Sequence, residues 1–235
     1  MVTQKFINIG NIYNLFLKLE ERRSASEDII DIAPQEEISN NDNSSSIAQY
    51  IVKKTPSFKK TIKGVLKMMN EYEFKSTPSV DKNYDIYLKN HFTNYDLLYE
   101  INLFSHTTNV AYEILKLNKQ GNTAGINVLN ALFHDFGKSL HIKKLVPGSA
   151  KMPHEKISAK FAEEYLQRES FNGNREITKD VISSIVKTIN MQHSPVKVKD
   201  DFLRDLIIAD KNARRQEIAY VQKYLKIESN KKASL

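Results

Sequence analysis

The stretch INVLNALFHDFGK, residues 126–138, carries an apolar helical repeat that runs straight into ionisable side chains. Ile126, Leu129, Leu132 and Phe133 recur at helical spacing, and His134 and Asp135 end that helix. Working outward, residues 95–119, 123–136, 154–169, 178–192 and 201–226 read as five helices, separated by breaks at Gly121, Pro147-Gly148, Gly173 and Pro195. Thr178 stands ahead of Val181, Ile182, Ile185, Val186 and Ile189 as a capping residue, and Asp200-Asp201 offers another such start. No polar/apolar alternation bounded by turn residues marks a strand. The expected fold is all-α, a helical bundle over residues 95–230.

Histidines and aspartates fall on the apolar stripes of these separate helices. His106 lies four residues before Val110 and eight before Ile114, with Leu103 one turn the other way. His154 opens a helix whose inward face is Ile157, Phe161 and Tyr165, and His193 lies four residues beyond Ile189. Asp210 follows Leu203, Leu206 and Ile207 at helical spacing. A buried imidazole or carboxylate without a partner is costly, so several pointing inward together need a common solution. A metal centre is the simplest, because neutral imidazole and ionised carboxylate are what a divalent cation takes as ligands, and His106, His134, Asp135 and Asp210 supply them from three helices. The dipeptide alone decides little: six His and twelve Asp in this chain give about 0.3 His-Asp pairs by chance. The whole constellation is far more specific.

The composition bounds the rest. The chain has 235 residues, 40% of them apolar and 27% charged, which is ordinary for a globular protein and wrong for collagen, a wholly disordered chain or a membrane bundle. Zero Cys excludes disulfides and thiolate metal sites and points to a reducing compartment. With no targeting segment and no stretch apolar enough to span a bilayer, the expected location is the cytoplasm. The net charge of +7 is uneven, −4 over residues 1–50 and +11 over the remainder. That basicity suits a partner bearing phosphates, and it equally suits a solvated Lys-rich surface. Residues 1–23 hold an amphipathic arm with Ile9, Ile12, Tyr13, Phe16 and Leu19 on one face, a candidate for partner binding or self-association. Residues 24–46 carry six acids and no Lys or Arg and read as a linker; residues 47–94 read as a helical lead-in.

On the residues His106, His134-Asp135 and Asp210 the chain resembles the HD-domain metal-dependent phosphohydrolases. Their pattern is a His, a later His-Asp pair and a final Asp on helices of one all-α bundle. The resemblance spans residues 95–226 and none of the first 90, and the extended match HDFGK, with Lys138 after Gly137, strengthens it. In members of that family with two metals, further histidines hold the second ion and the Asp of the pair bridges both, and His154 and His193 stand at appropriate places for that role. The segments PGSAKMPHEKISAKFAEEY, IVKTINMQH and IIADKNARR are similar to parts of ribonuclease Y and related phosphodiesterases, with one His at 193 where those proteins often have a pair. The HD-GYP subgroup shares the order of ligands, but there is no GYP motif here.

The activity this implies is hydrolysis of a nucleotide or nucleic-acid phosphoester by metal-activated water, a diester in preference to a monoester, with one or two ions. Mn or Fe is expected; Zn, Co, Ni or Mg would also accept these ligands. Asp135 and Lys138 are the expected catalytic groups, Lys138 neutralising a phosphate oxygen unless it is a surface lysine. Lys151, in the basic stretch 136–160, and Arg214 and Arg215, one turn past Asp210, complete the expected substrate contacts, their alternative being plain helix surface. His154 and His193 have substrate contact or core hydrogen bonding as alternatives. His91 and His141 are not expected ligands, and Tyr220, Tyr224 and Leu225 read as packing. The competing reading is a nucleic-acid-binding or signalling protein whose metal centre is structural or inactive.

Overall fold

The structure, a computed structural model, describes residues 43–80, 94–117, 119–194 and 200–233. The expected arm, most of the expected linker, and His91 lie outside the described residues, as do the side chains of Tyr224 and Leu225. The fold is all-α. Among the described residues there are nine α-helices and no strand, only an isolated antiparallel bridge between Pro78 and Asn102.

The helices are α1 (Asn43–Lys54), α2 (Lys59–Glu71), α3 (Asn94–Tyr99), α4 (Leu103–Lys116), α5 (Gly121–Phe133), α6 (Leu140–Leu145), α7 (His154–Phe171), α8 (Lys179–Met191) and α9 (Asp201–Ala233). Two short 3-10 turns, Phe136–Lys138 and Ser149–Lys151, flank α6. α1 begins inside the Asn/Ser-rich end of the expected linker, residue types that start helices as readily as they form loops. The expected helix over 95–119 is two helices. Asn102 separates them: its backbone is extended, it pairs with Pro78, and its side chain accepts a hydrogen bond from the Ser105 N–H at 2.8 Å, which caps α4. The others start and end within three residues of their expected bounds, except that α9 runs to Ala233, seven residues past its expected end.

One apolar core runs from Ile47, Ile51 and Phe58 through Leu129, Phe133 and Phe136 to Leu206 and Ala213. The expected lead-in therefore shares the core of the bundle. Under residues 134–138 the core is aromatic: the Phe136 ring lies 4.7 Å from Phe74, 5.1 Å from Phe133 and 5.5 Å from Phe161 between centroids. This rigid cluster fixes the short segment that follows α5.

Capping sets the start of α9. Asp200 accepts from the N–H groups of Phe202 (3.0 Å) and Leu203 (3.3 Å) and from Lys187 Nζ (3.0 Å). Burial works to raise its pKa, but these donors outweigh burial and hold it below the ordinary carboxylate value. A lowered native pKa means stabilisation that is fully present above the unfolded value of about 3.9 and is lost as pH falls through the native one. Asp200→Ala is thus expected to cost about 1 kcal/mol at neutral pH. Denaturant unfolding at both pH values should show that difference shrinking below pH about 4.

Candidate metal centre

Six of the residues singled out in the sequence converge. Asp135 follows the C-terminus of α5 with φ −111 and ψ 11, a sparsely populated conformation. It is 2% exposed. On one side its Oδ2 lies 3.3 Å from His134 Nε2 and 3.5 Å from His106 Nε2, and that nitrogen lies 3.3 Å from Asp210 Oδ1. On the other side its Oδ1 lies 3.3 Å from His154 Nε2, which is 3.2 Å from His193 Nε2. The carboxylate stands between two histidine groups.

The first group could hold a cation. His106, His134 and Asp210 place one ligand atom each within 4.8 Å of one another. His106 Nε2, His134 Nε2 and Asp210 Oδ1 are all buried and lack a hydrogen bond that would satisfy them. Metal–ligand bonds of about 2.1 Å in a tetrahedron or octahedron put neighbouring ligand atoms about 3.0–3.4 Å apart, and His106 Nε2 and Asp210 Oδ1 lie 3.3 Å apart. The other ring nitrogen of each histidine is occupied. His134 Nδ1 donates to the Ala131 carbonyl at 2.7 Å, and His106 Nδ1 donates to Glu217 at 3.1 Å. Both rings thereby turn Nε2 inward, where it could face a metal ion once that nitrogen has lost its proton.

His154, Glu155 and His193 form a second group with ligand atoms equally close, and it is more open: His154 is 28% exposed and His193 is exposed. The sequence reading expected the two histidines and overlooked Glu155. The structure contains groups able to hold a metal ion in both places.

Gly137 brings the second group into range. A Cβ there would run into the carbonyl of His154 and the side chain of Ile157, so only glycine lets the start of α7 approach this closely. The Gly137 N–H donates to Ser158 Oγ at 2.8 Å, which pins the approach. That explains the Gly in HDFGK physically.

Electrostatics follow from the geometry. Burial pushes the Asp135 carboxyl up, yet His134, Lys138 and His106 outweigh it and hold the group far below its usual value. Asp210 and Glu217 are likewise held down against burial, Asp210 by His106 first and Glu217 by His106 and then Arg214. Burial and Arg214 pull His106 down, but Glu217, Asp135 and Asp210 prevail and raise it to about 9. His193, though exposed, is partly desolvated, and that and the neighbouring His154 lower it.

Two cations complete the cluster. Lys138 Nζ lies 2.6 Å from Asp135 Oδ2 and donates to the Ser79 carbonyl at 3.0 Å. Arg214 donates to Ser79 Oγ at 2.8 Å and approaches Asp135 and Asp210 at 3.9 and 3.8 Å. Lys151 and Arg215 are exposed and form no ion pair with the cluster among the described residues. His141 pairs with Glu73 at 3.2 Å, away from the site.

Several contributors escaped the sequence reading. Glu217 sits seven residues after Asp210 and three after Arg214, on one face of α9, a spacing that was there to be read. Gln192, beside His193, donates to the His134 carbonyl at 3.1 Å. Ser79 has no sequence signal, since its role depends on a loop crossing the bundle.

No family model, no curated protein and no solved structure matches the chain. No helix of the described residues is long and apolar enough to cross a membrane.

Glu217→Gln keeps a hydrogen-bond acceptor for His106 and removes the charge. We expect it to weaken Mn binding about 10–100-fold in a dye-competition titration while the fold is retained. Gly137→Ala is expected to cost about 1–3 kcal/mol in denaturant unfolding through the forced clash. Its cost would show that the close approach is intrinsic to the fold.

Proposed function

We propose that the chain is a metal-dependent phosphohydrolase of the HD type, acting on a nucleotide or nucleic-acid phosphodiester. One observation carries this reading: a buried, ionised Asp135 with His106 and His134 against one oxygen and His154 against the other. A carboxylate so placed is suited to bridge two divalent ions, which Mn or Fe would fill best. His106, His134 and Asp210 would hold one ion, His154 and His193 the other, with Asp135 shared. Bound there, such ions supply Lewis acidity and a water of lowered pKa.

The chain's own groups do the remainder. Buried His106 and His134 keep bulk water from one side of the centre, while Asp210, 34% exposed in its side chain, and His154 face outward where a substrate arrives. Lys138, tethered between Asp135 and Ser79, holds a positive charge beside the reacting position and neutralises a non-bridging phosphate oxygen. Arg214, with its guanidinium braced by Ser79 and Glu217, adds a second positive charge at the same mouth. The preference for a diester over a monoester rests on the resemblance to ribonuclease Y. The cysteine-free composition fits a reducing cytoplasm.

Turnover of bis(p-nitrophenyl) phosphate by the full chain with added Mn or Fe(II) tests the proposal. Asp135→Ala is expected to abolish it, and Lys138→Ala to lower kcat about 10²–10³-fold with metal content unchanged. Turnover that persists in Asp135→Ala would remove the reading.

A further inference from the structure

A groove lies away from the histidine cluster, between α1, α2 and the start of α4. It encloses about 600 Å³, with Val52, Leu66 and Phe104 among its apolar lining and Lys53, Lys59, Lys63 and Lys75 around them. No Asp or Glu lines it. Lys53, Lys59 and Lys63 form no ion pair with a described residue, and Lys75 sits over the Phe104 ring at 5.3 Å. Four like charges around one apolar groove repel one another, and an acidic occupant relieves that repulsion. The apolar lining asks for more than a small anion: it asks for carboxylates and aliphatic side chains on one short segment.

The chain carries such a segment. Residues 27–37, EDIIDIAPQEE, hold the acids Glu27, Asp28, Asp31, Glu36 and Glu37, no Lys or Arg, and Ile29, Ile30 and Ile32 between them. They precede α1 by a few residues, and Ala48 of α1 already lines the groove. The six steps from Glu37 to Asn43, where α1 begins, span at most about 21 Å when extended, so the tether reaches, and a short tether gives an effective concentration of the order of millimolar.

We propose that residues 27–37 dock in this groove within the same chain, with isoleucines on the apolar lining and carboxylates paired to the four lysines. The acidic N-terminal part thereby covers a basic surface of the bundle, and the groove belongs to that segment and to no substrate. This inference is independent of the proposed activity.

Zero-length carbodiimide coupling of the dilute full chain, followed by peptide mass spectrometry, tests it. The expected links join the carboxylates of residues 27–37 to Lys53, Lys59, Lys63 and Lys75, within one chain when isotope-labelled and unlabelled chains are mixed. The triple variant Ile29→Ser, Ile30→Ser, Ile32→Ser keeps every reactive group, and it should lower the yield of those links severalfold. So should about 0.5 M NaCl, where the Debye length is about 4 Å. Links made as readily to lysines of α6 and α8, or unchanged in the triple variant, overturn the proposal. Links between labelled and unlabelled chains overturn docking within one chain and assign the groove to a second copy.

Discussion

A carboxylate that has lost its water at the C-terminal end of a helix faces the negative end of the helix dipole, and it stays ionised only when positive charge or donors surround it. Asp135 is in that position, buried just past the end of α5. Five groups around it answer that demand: His106 from α4, His134 from its own helix end, His154 from α7, Lys138 from the turn beyond and Arg214 from α9. Four helices and a turn meet because one anion needs them. A structure assembled only for stability would gain more from an apolar residue there, since buried charge clusters commonly do no better than well-packed hydrophobes.

The packing beneath makes the convergence exact in register. Phe136 anchors the turn in an aromatic cluster with Phe74, Phe133 and Phe161, while Gly137 admits the start of α7 to backbone contact. Adjacent residues of one short turn therefore serve opposite purposes, core and site. The second tier matters as much: Glu217 and the Ala131 carbonyl hold the two rings, and Gln192 satisfies the His134 carbonyl. Outside the cluster satisfaction is uneven: Asn127 Nδ2 donates to Asp205 at 3.0 Å, while its Oδ1 and both polar side-chain atoms of Asn130 have no hydrogen-bond partner among the described residues.

Much of this was legible in the sequence. The helix periods were strong because each long helix buries one stripe, and the ionisable residues stood out because they interrupted those stripes at His106, His134, Asp135 and Asp210. What was not legible depended on contacts between elements distant in sequence. Asn102 looks like an ordinary helix interior residue until Pro78 pairs with it, so the break between α3 and α4 was missed. Ser79 acquires its meaning from Lys138 and Arg214, 59 and 135 residues away. Glu217 was hidden differently: its spacing was visible, but exposed glutamates at such spacing are so common that only burial distinguishes this one. Lys151 and Arg215, singled out for local basicity, lie exposed and form no ion pair with the cluster among the described residues.

Anomalous diffraction from crystals of the full chain grown with Mn tests the central claim most directly. The account predicts an anomalous peak bonded to His106 Nε2, His134 Nε2, Asp135 and Asp210 at about 2.0–2.3 Å, with a second peak on the other oxygen of Asp135 beside His154 and His193. Mn found only elsewhere on the molecule, with no peak between His106 and His134, would contradict it.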